Sequence, residues 1–365
     1  MAEPGRNLAT PFLWSDEHRK HVPDGEIWVG VHTPGTELPI RAERIRAALE
    51  QAGAELIPTE PHPDERALRL HDPGMVEWLR SAWEQWDASG LRQDPRQDRV
   101  VPYLFPHPGL LGGIAPALPE AVSARAGRYA YDTMTLIGPG TWEAARAALD
   151  TALSGAELVA SGERRSAYAC VRPPGHHATR DGFGGSCYLN NSAAAASHLR
   201  ELTGEPVAVI DVDAHHGNGT QSIFYGDPGV LTASIHVDPG AGWFPHFLGF
   251  ESEHGTAAGE GANRNLGLAP GSGDAEWLAG LEQLASWAAE AGAKSLVIAL
   301  GVDCEGGDPE SPLEVSADGL GRGGRILGEL GLPTVVVQEG GYRLETLGPL
   351  VVEFLAGLEG GLASG

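Results

Sequence analysis

Residues Val207–Thr220 read VAVIDVDAHHGNGT. An apolar run of strand length passes without interruption into Asp211, Asp213, His215, His216 and Asn218. A short continuous apolar run predicts a strand covered on both faces, as in a parallel sheet. In open parallel sheets ligands bind beyond the carboxyl ends of the strands, where this polar string would lie. Side chains two residues apart on an extended chain share a face. Asp211, Asp213 and His215 are therefore expected to project together.

The same grammar repeats outward from this stretch. YACV (Tyr168–Val171) runs into RPPGHHATRDGFGG, which carries His176 and His177. SLVIALG (Ser295–Gly301) runs into Asp303, and TVVVQEG (Thr334–Gly340) into Tyr342. VLTASIH (Val230–His236) and IWVGVH (from Ile27) are further predicted strands. Helical periodicity predicts helices over Arg41–Ala52, Met75–Trp86, Thr141–Leu153, Asn191–Leu202, Ala275–Ala291 and Asp318–Leu330. Alternation of this kind implies an α/β fold in three layers, a central mostly parallel sheet flanked by helices. The 365 residues fit one catalytic domain, 1–365, and no repeat is visible. Residues 89–119, rich in Pro and Arg, follow neither period and read as an insertion forming a lid, an oligomer contact or a plain surface excursion. The Gly-rich tail Ala356–Gly365 is expected to fray.

Composition excludes several classes. The formal net charge is −24 and only Lys20 and Lys294 are lysines. Such a surface repels nucleic acid, and it either favours a cationic ligand or serves solubility or a salty cytoplasm. No apolar run is long enough to span a membrane. Three distant cysteines, Cys170, Cys187 and Cys304, cannot all pair, so a reducing cytoplasm is expected.

The strand ends deliver carboxylates, imidazoles and a phenol to one rim. Asp213 and His215 can chelate one ion while Asp303 completes the set from another strand. Three protein ligands leave a position for water, as in catalytic zinc sites. Two carboxylates neutralise the ion, so a base is needed nearby, and His176–His177 can supply it.

RPPGHHA, DVDAHHGNGTQ, GVD…GDP and QEGGY, preceded by GPGTWEAARAAL from Gly138, resemble the signature blocks of the histone deacetylase/acetylpolyamine amidohydrolase family. The resemblance implies an arginase/deacetylase-type fold and a zinc-dependent amidohydrolase. It implies Zn²⁺ on Asp213, His215 and Asp303, a site that also suits Fe²⁺ or Co²⁺. It makes His177 the general base, His176 its electrostatic partner and Tyr342 the donor to the scissile carbonyl. Asp211 would bond His176, and Asn218 stands where some members place an aspartate. A K⁺ ion is implied near Asp211, Asp213, His215, Ser234 and Ile235, and a weaker cation site near Phe224, Asp227 and Val230.

FGGSCYLNN, FPHFLGF…EGANRNLGL and the insertion resemble the bacterial acetylpolyamine branch, which implies a homodimer or higher homo-oligomer. The expected substrate is a small N-acetylated amine; protein acetyl-lysine deacetylation and non-catalytic binding of an acyl-amine are the alternatives. Substrate contacts are expected from Gly185, Ser186, Phe244, Asp132 and Glu310, the last reading a distal ammonium. Ser186 departs from the pattern, because family members place an aromatic wall there opposite Phe244.

Overall fold

The computed structural model describes residues 7–91 and 97–364. Its strands are β1 (Phe12–Trp14), β2 (Glu26–Trp28), β3 (Val31–Thr33), β4 (Leu56–Pro58), β5 (Ser166–Ala169), β6 (Val207–Asp211), β7 (Val230–Val237), β8 (Asn263–Leu268), β9 (Ser295–Leu300) and β10 (Thr334–Gln338). Eight of these form one sheet in the order β4-β1-β5-β10-β9-β6-β7-β8. Every neighbouring pair in it is parallel. The four strands whose ends carry the chemistry, β5, β10, β9 and β6, are adjacent at its centre.

Burial explains why these runs read as continuous apolar strings. Ile210, Ile298 and Val336 share one register row and enter one core cluster. Val209, Val297 and Val335 form the next row and enter the other. The helices are α1 (Ile40–Gln51), α2 (Glu65–Leu70), α3 (Pro73–Ala88), α4 (Pro108–Leu111), α5 (Val122–Tyr129), α6 (Thr141–Ala160), α7 (Asn191–Thr203), α8 (Asn218–Phe224), α9 (Asp274–Glu290), α10 (Ala317–Gly328) and α11 (Leu347–Leu362). Buried residues of α1, α9, α10 and α11 line the first cluster, and those of α3, α6 and α7 the second. This is the three-layer α/β arrangement expected of the arginase/deacetylase type.

Two expectations are corrected. IWVGVH does not join the main sheet. It folds as the antiparallel pair β2–β3, reversing at Val29 and Gly30, both with positive φ (48° and 79°). A two-residue turn with both φ positive suits the twist of a hairpin, and Gly30 adopts it without cost. The edge positions go instead to β4 and β8, with β1 beside β4. The tail does not fray either, because α11 runs to Leu362. Its glycines pack against those of α10: a Cβ on Gly324 would lie 2.1 Å from the Phe354 carbonyl oxygen, and one on Gly357 1.8 Å from that of Gly321. Backbone contact, not slackness, is what these glycines provide.

Residues 92–96 of the insertion lie outside the described residues. In the remainder Val100 bridges Ile137, α4 forms one turn, and Tyr103, Leu110 and Ile114 stand exposed. No helix among the described residues is long and apolar enough to cross a membrane.

Candidate active site

Beyond the ends of β6 and β9, Asp213, His215 and Asp303 converge. His215 Nδ1 lies 3.1 Å from Asp213 Oδ1 and 3.2 Å from Asp303 Oδ2. Tetrahedral zinc with arms of about 2.1 Å has ligand-to-ligand edges of about 3.4 Å, so the donor set fits one ion. The backbone holds each carboxylate in place. Gly340 N–H donates to Asp213 Oδ2 at 2.7 Å, and Ala214 N–H to Asp303 Oδ1 at 2.8 Å. No side chain is tolerated at Gly340, whose Cβ would fall 2.1 Å from Asp303 Oδ2.

Electrostatics give the same answer. Burial works against a charged His215, yet Asp213 and Asp303 raise its pKa well above the usual value. Burial and Asp213 raise the Asp303 carboxyl to about 7. A pair of buried carboxylates around one point demands positive charge there. A metal ion held by His215 Nδ1 and the two carboxylates would supply it.

The tandem histidines lie side by side, ring centroids 3.9 Å apart, with different partners. His176 Nδ1 is 2.8 Å from Asp211 Oδ2, and His177 Nδ1 is 2.7 Å from Asn218 Oδ1. Burial disfavours charge on His176, but Asp211, Asp213 and Glu339 outweigh it and raise its pKa to about 10. Burial, His176 and His215 push His177 well below the usual value. Environments that drive neighbouring groups apart assign different roles to them: His176 can hold charge, and His177 can accept a proton.

Tyr342 is fixed from behind. The Arg41 guanidinium lies 4.5 Å from its ring centroid, and Arg41 Nε and Nη2 donate to the carbonyls of Gly341 and Glu339 at 2.6 and 2.7 Å. Asp308 Oδ2 accepts from Tyr342 N–H at 2.7 Å. Burial raises the phenol pKa well above its ordinary value, so the hydroxyl remains a donor.

A cleft of about 500 Å³ opens onto His177, His215 and Tyr342. Gly185, Ser186, Met134 and Phe244 are among its walls, and Glu26, Trp28, Trp243 and Glu310 also line it. Phe244 meets the edge of the His177 ring at 4.8 Å, an approach that a Cβ on Gly185, 2.3 Å from His177 Cδ2, would obstruct. An aromatic partner of Phe244 does exist: Tyr131 stacks on it at 6.5 Å and donates to the His177 carbonyl at 2.8 Å, but it is not part of the cleft lining. Ser186 does line the cleft, with φ of 62° and its N–H on Thr135 Oγ1.

Asp132 is placed differently from its expected substrate contact. Its carboxylate accepts from Gly185 N–H at 2.6 Å and from the N–H groups of Met134 and Thr135, and it is absent from the cleft lining. It positions the Gly185–Ser186 loop. Glu310 lines the cleft and accepts from Thr36 Oγ1 at 2.9 Å. Asp211 and Ser234 pair in register on β6 and β7, beside a cavity of about 10 Å³. Ser234 Oγ lies 2.8 Å from His236 Nδ1, and Ile235 is buried in the core. At the second expected cation site, Arg200 engages the Asp227 carboxylate.

Sequence reasoning missed Glu26 and Trp28 because IWVGVH was read as a core strand. The signal was Gly30, at which the run reverses. It also missed Arg41, which lies in a predicted helix and carries no local motif.

A family model described as "Histone deacetylase domain" matches residues 36–358. Over 349 residues the chain is 37% identical to the acetylpolyamine amidohydrolase of Mycoplana ramosa, covering 95% of this chain and 99% of that protein. It is 40% identical over 349 residues to acetylpolyamine amidohydrolase 1 of Pseudomonas aeruginosa, covering 95% and 98%. The crystal structure of acetylpolyamine aminohydrolase from Burkholderia pseudomallei superposes with a TM-score of 0.91 at 34% identity, over 97% of this chain and 99% of that one.

Proposed function

The chain belongs to the histone deacetylase domain family and is a metal-dependent hydrolytic deacetylase; on that premise we propose that it removes the acetyl group from a small N-acetylated amine of the polyamine class. The observation that carries this reading is the juxtaposition in one cleft of His215, His177 and Tyr342 with two carboxylates, Glu26 and Glu310.

In this reading Asp213, His215 and Asp303 hold zinc, although Fe²⁺ and Co²⁺ suit the same donors. A metal held there would supply Lewis acidity toward a water and the substrate carbonyl. His177 Nε2 takes the proton from the attacking water, because its Nδ1 is tied to Asn218, and passes it to the departing amine. His176, charged against Asp211, stabilises the negative charge that develops. The Tyr342 hydroxyl donates to the carbonyl oxygen as it becomes an oxyanion, a contribution of a few kcal/mol in comparable sites. Glu26 and Glu310 attract the free ammonium of the substrate, and Trp28 and Trp243 offer it aromatic faces. Ser186, small where an aromatic wall was expected, leaves width for an acyl group larger than acetyl.

K⁺ between β6 and β7 at Asp211 and Ser234 would be structural. The exposed apolar side chains of the insertion support a homodimer contact, and the buried free thiols of Cys170, Cys187 and Cys304 support a cytoplasmic location.

The test is a turnover screen of zinc-reconstituted protein on acetylputrescine, acetylspermidine, an acetyl-lysine peptide and an aryl amide. The acetylated polyamines are expected to be cleaved with the highest kcat/KM. A faster reaction on the peptide overturns the substrate assignment, and no reaction on any of them overturns the catalytic one.

A further inference from the structure

Away from the cleft, a second group of metal-capable side chains gathers where α6, α7 and the loop after β4 meet. α6 and α7 each lead back to the start of a central strand. Their C-terminal halves therefore lie toward the amino ends of the strands, away from the carboxyl ends that carry the cleft. His62, from the loop, and His198, from α7, both turn Nε2 toward Oε1 of Glu157 on α6, at 3.3 and 3.0 Å. The three donor atoms lie within 4.8 Å of one another. We infer that His62, Glu157 and His198 form a second divalent-metal site of zinc type, separate from the catalytic centre.

Three observations carry this. The two spacings approach the edges of about 3.4 Å in a tetrahedron with arms of about 2.1 Å. Both imidazoles are almost wholly buried (side chains 6% and 1% exposed), whereas Glu157 is 47% exposed, so an ion has a route in and an open side for a water ligand. The third observation concerns the other ring nitrogens. His62 Nδ1 and His198 Nδ1 are both buried without a hydrogen bond. Each faces a carboxylate: Asp150 Oδ1 at 3.3 Å and Glu201 Oε2 at 3.8 Å.

Those carboxylates decide between two arrangements of neutral rings. If Nε2 carries the proton and bonds Glu157, each buried Nδ1 turns a lone pair toward a carboxylate, acceptor against acceptor. If a metal binds at both Nε2 atoms, the protons move to Nδ1 and point at Asp150 and Glu201. Metal-bound histidines habitually direct the free N–H to a carboxylate in this way. Arg146 already pairs with Asp150 at 2.8 Å, which makes Asp150 an outer partner and not a fourth ligand.

Bound there, the ion would tie the loop after β4 to two helices of the second core cluster. The experiment is zinc analysis of the full chain after saturation and gel filtration. Two ions per chain are expected in the wild type and one in His62→Asn/His198→Asn, with deacetylation unchanged and the zinc-dependent rise in Tm reduced. One ion per chain in the wild type, or two retained in the variant, overturns the site; the cluster is then held by its contacts with Glu157, Asp150 and Glu201 without metal. Should the double variant fail to fold, Glu157→Gln and anomalous scattering at the zinc edge from wild-type crystals replace it. No peak between the two Nε2 atoms overturns the inference.

Discussion

The cluster at Asp213, His215 and Asp303 and the cluster at His62, Glu157 and His198 offer similar donors at similar spacing, yet they are built on opposite plans. The first hangs from the ends of adjacent strands, and backbone N–H groups orient both of its carboxylates. Two anions share one point, so it calls for a cation even at rest. The second hangs from two helices and a loop, holds a single carboxylate among its proposed ligands, and leaves that one largely in water. Preorganised, doubly anionic and joined to a cleft is the plan of a centre that works on a substrate. Singly anionic and assembled from side chains alone is the plan of a clamp.

The largest effect that would break this contrast comes from Asp213→Asn. Removing one of two buried anions should empty the catalytic centre and leave the peripheral one filled. A bound metal contributes several kcal/mol to such a reaction, so kcat/KM should fall about a thousandfold or more. Metal analysis on the same variant should still find zinc at His62 and His198, and loss of all zinc would count against the peripheral site. Next in size is Tyr342→Phe, which leaves both clusters intact. A drop of about a hundredfold or more in kcat with full metal content is expected; near-normal kcat would remove Tyr342 from the reaction.

The smallest effect sharpens the contrast at the cleft itself, where Glu26 binds no metal. Burial and Glu310 raise its carboxyl to about 7. Its negative charge therefore grows as pH climbs through about 7, while an aliphatic ammonium stays charged to about pH 10. KM for an acetylated polyamine should fall across that window in the wild type and stay flatter in Glu26→Gln. Equal KM profiles would show that Glu310 alone reads the charge.

Legibility in the sequence followed the same division. Asp213 and His215 are two residues apart, and His176 and His177 are adjacent, so nearness in the chain just past the strand ends was enough to place them at one rim. The central strands were equally plain, since burial on both faces leaves an unbroken apolar run. What escaped was assembled over distance or hidden in composition. His62, Glu157 and His198 share no local spacing, and only tertiary packing of α6 against α7 unites them. Glu26 was lost with the misread hairpin, whose apolar residues Trp28, Val29 and Val31 lie outside any core. The tail was misjudged because glycine content cannot by itself separate a loose end from two backbones in contact.

The carboxylates beside the cleft carry one more consequence. Hydrolysis turns a neutral amide into an ammonium, so the amine product leaves with one positive charge more than the substrate brought. Glu26 and Glu310, and the −24 surface around them, therefore hold the product more firmly than the molecule they first attracted. Escape of the amine becomes a candidate for the slow step of the cycle. Added salt, by loosening that grip, would then quicken saturated turnover even as it weakens capture at low substrate.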